Sequence, residues 1–184
     1  MFVLIAALAA GLVAGYAMGG RLRNIDRMRI RLPWLAIAAL GLQFVAFSSL
    51  RGSLGSTGVV ALHLVSYALL VWFVIVNRQR VGVVVAGAGL LTNLLAITLN
   101  GGYMPASRHA LDVAGVQFSG ATMNNSTVIH AGTRLSFLGD VFAIPEGTIL
   151  ANVFSIGDVL IVVGVAILIA TAMRTAPQEV PAAL

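Results

Sequence analysis

The sequence predicts an all-α integral membrane protein, a five-transmembrane-helix bundle with a long external loop between helices 4 and 5. Hydrophobic residues make up 59% of the 184-residue chain and charged residues only 9%, so an ordinary soluble domain is excluded. Five apolar runs are each long enough to cross a hydrocarbon core about 30 Å thick, which needs about 20 helical residues. Most of the charged residues fall between these runs, as expected for membrane-spanning helices.

The spans are assigned from the apolar runs and the charges that separate them. They cover residues 1–20, 33–50, 58–76, 81–99 and 149–173 of a single membrane domain, 1–184. No basic residue precedes the first run, in contrast to a secretory signal peptide, so we expect a retained helix. The connections 51–57 and 77–80 are short enough to force antiparallel neighbours. The connection 100–148 is long, and loops of this length are usually functional or disordered.

Parts of the long connection also carry local signals. Pro105 is suited to open a short helix through Ala114 that ends at Gly115. Residues 135–144 are apolar enough to lie in the membrane interface. The segment 117–127 gives no structural signal.

All eleven basic residues are arginine, and their distribution predicts the topology. Five follow the first span: Arg21, Arg23, Arg27, Arg29 and Arg31. If they are cytoplasmic, Arg78, Arg80 and Arg174 share that side, and only Arg51, Arg108 and Arg134 lie outside. We therefore expect a plasma-membrane protein with its amino terminus outside and its tail, 174–184, in the cytoplasm. Because the arginines form no single face, the expected partner is the lipid bilayer and not a nucleic acid.

Several kinds of chemistry are excluded by residues that the sequence lacks. The absence of cysteine removes disulfides, thiolate metal sites and a cysteine nucleophile. No phosphate-binding loop, nucleophile elbow or HExxH motif is present. His109 and His130 lack a paired-histidine spacing, so we predict no metal site. No cofactor is predicted, although a quinone or a lipid is compatible with the chain.

Small residues at helical spacing predict where helices pack. Gly11, Gly15 and Gly19 repeat every four residues in the first span, a spacing that permits close backbone approach. The fourth span carries a seam of small and polar residues at steps of four and three: Gly82, Ala86, Gly89, Asn93, Ala96 and Asn100. We favour packing inside one monomer, with contact in a homo-oligomer as the alternative.

Polar residues inside the spans are candidates for a site, because an ionisable group at bilayer depth costs several kcal/mol unless it is paired. Asp158 is expected about 14 Å into the last span, near the midplane, with Ser155 on its face. His63, Ser66 and Tyr67 share a face of the third span. The candidate ligand-binding set is Asp158, Ser155, His63, Tyr67, Asn93, Gln43 and Asn100. If these faces converge, they form an outward-facing pocket for a polar headgroup and an apolar tail.

Charged residues of the external loop could form a roof over this pocket. They are Arg108, His109, Asp112, His130, Arg134 and Asp140. The alternative is purely structural, because buried Asn, Gln, Ser and His commonly bond between transmembrane helices for about 1 kcal/mol or less.

Three motifs in order give the chain a family resemblance. They are Asn100–Pro105 at the exit of the fourth span, Leu135–Asp140 in the loop and Ser155–Asp158 in the last span. Together they resemble a family of bacterial multi-pass membrane proteins described only as a domain of unknown function. In the first motif, Gly101 and Gly102 can take positive φ where the helix ends, and Pro105 prevents its continuation. The pair Gly139-Asp140 is typical of a turn.

Three functions remain compatible with the sequence. The first is a non-catalytic accessory or assembly subunit of a larger membrane complex, whose helix faces and loop contact partners. The second is a binding or transport protein for a lipophilic small molecule, such as a quinone or a lipid, using the polar pocket. The third is a membrane-embedded enzyme with Asp158 or His63 as acid or base, which no accompanying nucleophile or cofactor motif supports.

Overall fold

Most of the structure, a computed structural model that describes residues 2–47, 51–117, 122–123 and 126–174, is helical. The helices are α1 (Phe2–Ala17), α2 (Pro33–Phe47), α3 (Arg51–Val76), α4 (Val81–Leu99), α5 (Arg108–Val113) and α6 (Ile156–Arg174). Short 3-10 helices cover Leu22–Arg27 and Ser136–Leu138. The strands are β1 (Met104–Ala106), β2 (Thr122–Met123), β3 (Ser126–Val128), β4 (Phe142–Ile144) and β5 (Asn152–Phe154).

Three helices of the described chain are long and apolar enough to cross a membrane. They cover Thr57–Val76, Val81–Leu99 and Ile156–Arg174. Two shorter apolar helices, Val3–Ala17 and Pro33–Ala46, accompany them. The chain is therefore a mostly helical protein of the membrane-associated class.

Helix α6 lies at the centre of the helix packing, with α4 along one side and α1 along another. A Cβ atom added at Gly164 of α6 would lie 2.6 Å from the carbonyl oxygen of Gly82 and 2.8 Å from the Cα of Ala86. A Cβ at Gly89 would meet the carbonyl of Gly157. The α4 seam is therefore a line of direct backbone contact with α6, which only small residues permit.

The glycines of α1 approach the other side of α6. A Cβ at Gly11 would lie 2.8 Å from the Cβ of Ile169, and one at Gly15 would meet the side chain of Met173. Gly19 differs from the expectation that it packs in the same series. It lies beyond the end of α1 at φ +76°, and a Cβ there would have no atom within 4 Å. Gly19 thus serves the chain reversal after the helix, because positive φ favours glycine.

Helices α2 and α3 pack along each other as a pair, whereas α3 touches α4 over a much smaller region. The connections at one end of the molecule are joined by hydrogen bonds. The Asn77 carboxamide donates to the carbonyl of Arg31 at 2.8 Å and accepts from its N–H at 2.8 Å. The Arg80 guanidinium donates to the carbonyl of Arg29 at 2.6 Å. The α1–α2 and α3–α4 connections therefore lie together.

The long connection is more ordered than the sequence indicates, because it folds into two small sheets around α5. Strand β1 pairs in parallel with β3, which pairs antiparallel with β2. Strands β4 and β5 form an antiparallel pair in which the Phe142 and Phe154 rings stack with centroids 5.4 Å apart. These strands have two or three residues each, too few to produce the alternation by which a strand is recognised.

Two helix boundaries differ from the sequence prediction. Helix α6 begins at Ile156 and not near Ile149, because Asn152–Phe154 pairs with β4 as a strand. Residues 51–57, expected to be a connection, belong to α3, which bends at Gly55. Gly55 has φ +65° and ψ 170°, a conformation that glycine adopts without steric cost.

The prediction that Pro105 opens a helix is wrong. Pro105 lies within β1, and its carbonyl accepts a hydrogen bond from the Asp140 N–H at 2.7 Å. Helix α5 begins only at Arg108, and Gly115 follows its end at φ +67°, as the sequence predicts. The segments 118–121 and 124–125, part of the stretch without a sequence signal, lie outside the described residues.

The α4–α6 contact makes a direct prediction for stability. Gly164→Ala should lower the free energy of unfolding by about 1–3 kcal/mol, because the added methyl meets backbone atoms that cannot rotate away. The measurement is the midpoint of thermal unfolding of the purified chain in nonionic detergent. Gly41→Ala in α2 is the matched control, since a Cβ there would have no atom within 4 Å. An equal effect of both substitutions would contradict the prediction.

Candidate functional site

Three polar side chains meet where α4 packs against the start of α6. The Asn93 amide nitrogen donates to Asp158 Oδ1 at 3.0 Å. The Ser155 hydroxyl donates to Asn93 Oδ1 at 2.9 Å. Ser155 is fully buried and Asn93 is buried, whereas Asp158 is half-buried. The cluster therefore bonds the last helix to α4 through side chains as well as through glycine contacts.

Local hydrogen bonds within α6 explain the spacing of Ser155 and Asp158. The Ser155 hydroxyl oxygen accepts from the Asp158 backbone N–H at 3.0 Å, and Asp158 Oδ2 accepts from the Ser155 backbone N–H at 3.0 Å. This reciprocal pattern is a capping box, which satisfies two N–H groups that a helix start leaves unpaired. Its carboxylate also lies favourably at the positive end of the helix dipole.

Gly157, between these two residues, is required by the contact with α4. A Cβ at Gly157 would overlap the Asn93 carboxamide oxygen and lie 2.6 Å from the Thr92 hydroxyl. The whole motif Ser155–Asp158 thus has a structural explanation as a helix start pressed against α4.

The expected depth of Asp158 is therefore wrong. The sequence placed it near the bilayer midplane because the apolar run was counted from Ile149. In the structure it lies in the first turn of α6, two positions after Ile156. An aspartate at this position is stabilised by the helix start, so its presence does not by itself require a ligand.

The third-span candidates form a neighbouring polar group on α3. The His63 and Tyr67 rings contact edge to face, with centroids 4.9 Å apart and an interplanar angle of 80°. The Gln43 amide of α2 donates to the Ser66 hydroxyl at 3.2 Å, and that hydroxyl donates to the carbonyl of His63 at 2.6 Å. Gln43 therefore joins α2 to α3 and is engaged in that helix pair.

Asp140 is the loop residue that the structure brings to these helices. It is buried, with 8% of its surface exposed. Its backbone N–H donates to the carbonyl of Pro105, and its carbonyl accepts from the N–H of Ser107 at 2.9 Å. Gly139 is extended and in no positive-φ turn, but a Cβ there would overlap the Pro105 carbonyl. The predicted turn at Gly139-Asp140 is instead a close contact between two loop segments.

The surroundings of Asp140 change its acidity. Burial, reinforced by the negative charge of Asp158, raises the pKa of the Asp140 carboxyl to about 7. Tyr67 lies within electrostatic range of both carboxylates. The structure thus joins Asn93, Ser155 and Asp158 by hydrogen bonds, and it places Asp140 and Tyr67 near enough for electrostatic interaction with Asp158. Chemically, this group can hold a proton near neutral pH and accept hydrogen bonds.

Asn100 connects the end of α4 to the loop. Its amide nitrogen donates to the carbonyls of Ala96 at 2.7 Å and Arg134 at 2.8 Å. Its side-chain oxygen accepts from the Arg134 N–H at 2.9 Å. Gly101 and Gly102 follow at φ +70° and +91°, as the sequence predicts for a helix stop. Asn100 is thus a capping residue that also fixes the loop backbone.

The remaining residues of the expected roof lie on the exposed surface of the loop. They are Arg108, His109, Asp112, His130 and Arg134. In the described parts of the chain, no group of three or more His, Asp or Glu residues could hold a metal ion. The site is therefore a polar junction in which hydrogen bonds join Asn93, Ser155 and Asp158. The Asp140 carboxyl of the loop lies near it.

The sequence does not predict the close contacts that Gly139 and Gly157 make in the structure. Each precedes an aspartate of the site, and each allows another segment to approach within contact distance. The Gly-Asp pair occurs in both motifs, and this repetition can be seen in the sequence. The segments that each glycine contacts can be identified only from the fold.

A cavity of about 200 Å³ lies beside this junction, between α3 and α4. Its walls include Val60, His63 and Leu64 from α3, and Ile97 and Thr98 from α4. Gly101 and Gly102 close its loop end. The cavity exists because α3 and α4 pack together only over a small region.

Most of the chain, including this site, matches one protein family. Residues 27–170 match the model of DUF5317, a family of unknown function, and the chain belongs to that family. The match covers α2 to α5, the loop, the residues of the polar junction and α6 up to residue 170. No curated protein and no solved structure matches the chain.

The contact between Asn93 and Asp158 should be measurable as an energetic coupling. In a double-mutant cycle of Asn93→Ala and Asp158→Ala, we expect a coupling of about 0.5–1.5 kcal/mol in unfolding free energy. Thermal or denaturant unfolding in detergent gives the four stabilities. Gln43→Ala combined with Asp158→Ala is the control, since Gln43 bonds to Ser66 and should add independently. If the changes in unfolding free energy are additive in both cycles, the hydrogen bond between Asn93 and Asp158 does not contribute to stability.

The raised pKa of Asp140 predicts a pH dependence of stability. Because the folded protein binds this proton more tightly than the unfolded chain, whose ordinary value is 3.8, protonation favours folding. The contribution of Asp140 protonation to the free energy of unfolding is complete below pH 3.8 and is lost as the pH rises to about 7. Unfolding midpoints between these limits should fall with pH in the wild type and fall less in Asp140→Asn. Parallel profiles for the two proteins would contradict the assignment.

Proposed function

We propose that this chain is a non-catalytic component of the bacterial plasma membrane, an accessory or assembly subunit that crosses the bilayer five times. In this topology α1, α2, α3, α4 and α6 are the spans and the connection between α4 and α6 is external. The amino terminus lies outside and the tail after Arg174 is cytoplasmic.

Hydrogen bonds at one end of the helices support the five-span topology. Asn77 and Arg80 bond the α3–α4 connection to the α1–α2 connection. The N–H of Arg21 donates to the carbonyl of Met173 near the end of α6, at 2.8 Å. Both connections and the end of α6 therefore meet, as five antiparallel crossings require. The arginine-rich connections share this end, which the positive-inside rule assigns to the cytoplasm.

The observation that carries the non-catalytic assignment is the hydrogen bonding of Asp158. Both of its carboxylate oxygens accept hydrogen bonds from within the protein, from Asn93 and from the Ser155 N–H. A general acid or base must instead reach the proton that it transfers in a bound substrate. The polar junction is therefore better suited to hold helices and loop together than to perform a reaction.

The outer face of α2 is the surface we assign to a partner. Ile37 and Phe44 are 70% and 78% exposed, and Trp34 is exposed beside them. Gly41 lies between Ile37 and Phe44 on the same face and has open space where a Cβ would be. A notch of this kind, between large apolar side chains, permits close approach of a transmembrane helix of another protein.

We therefore expect the chain to be recovered in a stoichiometric assembly by native mass spectrometry after mild extraction from its source membrane. Gly41→Leu should reduce recovery of the partner, because it fills the notch. Ala88→Leu is the control, since it adds bulk of similar size to an exposed position on α4. Recovery of the wild-type chain alone would reject the subunit proposal, and equal losses in both variants would reject the α2 surface.

The cavity between α3 and α4 favours a second candidate, binding or transport of a lipophilic small molecule such as a quinone or a lipid. Its walls are mostly apolar, with the His63 imidazole and the Thr98 hydroxyl as polar groups. Its volume of about 200 Å³ is below the range of about 300–1,000 Å³ for pockets that enclose a drug-sized ligand. The cavity would thus hold one end of the molecule, with the remainder in the bilayer. One recurrent lipophilic molecule in the same mass spectra, without a protein partner, would favour this candidate.

A further inference from the structure

A second cavity, of about 290 Å³, lies at the opposite end of the helices from the polar junction. It forms where the ends of α1 and α6 meet the 3-10 helix Leu22–Arg27. Arg21, Arg23 and Arg174 line it, together with Asn24 and Met173. Three arginine residues from two separate segments therefore line one space.

The backbone that carries these arginines is fixed by the end of α6. The carbonyl of Met173 accepts hydrogen bonds from the Arg21 N–H at 2.8 Å and from the Asn24 amide at 2.7 Å. Gly20 allows this contact, because a Cβ there would lie 2.7 Å from the Cβ of Met173. The cavity is thus a built feature of the fold and not a gap between loose segments.

The arginines around the cavity are free of ion pairs within the described chain, because no carboxylate in the described ranges pairs with Arg21, Arg23 or Arg174. All three side chains are exposed, so an external anion can reach them. Like charges that border one space repel each other, and an anion between them relieves that repulsion.

We propose that this cavity binds a single phosphate group, either on the headgroup of an acidic phospholipid or as free phosphate. Guanidinium groups match phosphate oxygens with paired, charge-assisted hydrogen bonds. The cavity lies at the end of α6, a helix long enough to cross a membrane, and lipid headgroups are concentrated at the ends of such helices. This site is separate from the polar junction and does not depend on the proposed function.

The test compares two triple variants that remove the same charge from the same end of the protein. One carries Arg21→Gln, Arg23→Gln and Arg174→Gln. The control carries Arg27→Gln, Arg29→Gln and Arg31→Gln, which lie outside the cavity lining. The control retains the hydrogen bonds to Arg29 and Arg31, because these involve only their backbone atoms. The full-length chain in nonionic detergent is titrated with short-chain phosphatidylglycerol, short-chain phosphatidylcholine and inorganic phosphate, and bound adducts are measured by native mass spectrometry.

We expect phosphatidylglycerol to bind the cavity variant at least about tenfold more weakly than the control variant. Phosphatidylcholine should bind the wild type and both variants with similar affinity. If inorganic phosphate binds saturably and displaces phosphatidylglycerol, free phosphate is an occupant of the cavity. If inorganic phosphate fails to displace phosphatidylglycerol, the occupant is the lipid. Equal weakening in both variants would overturn the proposal, because it would indicate diffuse attraction to the arginine-rich end. Equal affinity of the wild type for the two lipids would overturn it as well.

A single substitution keeps the test decisive if the triple cavity variant does not fold. Arg23→Gln changes one exposed side chain and should leave the unfolding midpoint unchanged. It should still weaken phosphatidylglycerol binding several-fold relative to Arg27→Gln. Identical binding by these two folded variants would refute the phosphate site.

Discussion

The close backbone contact between α4 and α6 is the constraint on which the rest of the structure depends. Gly82 and Gly89 of α4 lie against Gly164 and Gly157 of α6, with no space for a side chain between them. In lipid, apolar side chains gain little by leaving the bilayer, so helix association relies on such contacts and on hydrogen bonds. The contact also aligns Asn93 with the first turn of α6. The polar junction is therefore a consequence of helix packing.

The sequence was sufficient for the parts of the fold that depend on long, regular patterns. Length and hydropathy placed α4 over Val81–Leu99, and glycine spacing indicated which faces of α1 and α4 approach another helix. The helix stop after Asn100 followed from two adjacent glycines, which have positive φ in the structure. Each of these inferences uses local geometry and needs no knowledge of a distant partner.

The candidate site was less predictable because its roles arise from pairings between distant segments. Ser155 and Asp158 were identified, but a strand pairing at Asn152–Phe154 delays the helix start and makes them a cap. Asp140 is one of the six titratable loop residues expected in the roof, and only the loop contacts select it as the buried one. Hydropathy could not distinguish the apolar residues before Ile156 from a membrane span, since both are apolar.

The order of helices along the chain has a consequence for biogenesis. Helix α6 packs against both α1 and α4, yet it follows both of them in the chain. Chains generally fold from the amino terminus during translation, but here α1 and α4 have no α6 surface to pack on until residues 156–174 have been synthesised. By contrast, α2 and α3 can associate as soon as both have been synthesised. The glycine faces of α1 and α4 therefore remain without their partner helix until α6 has been made.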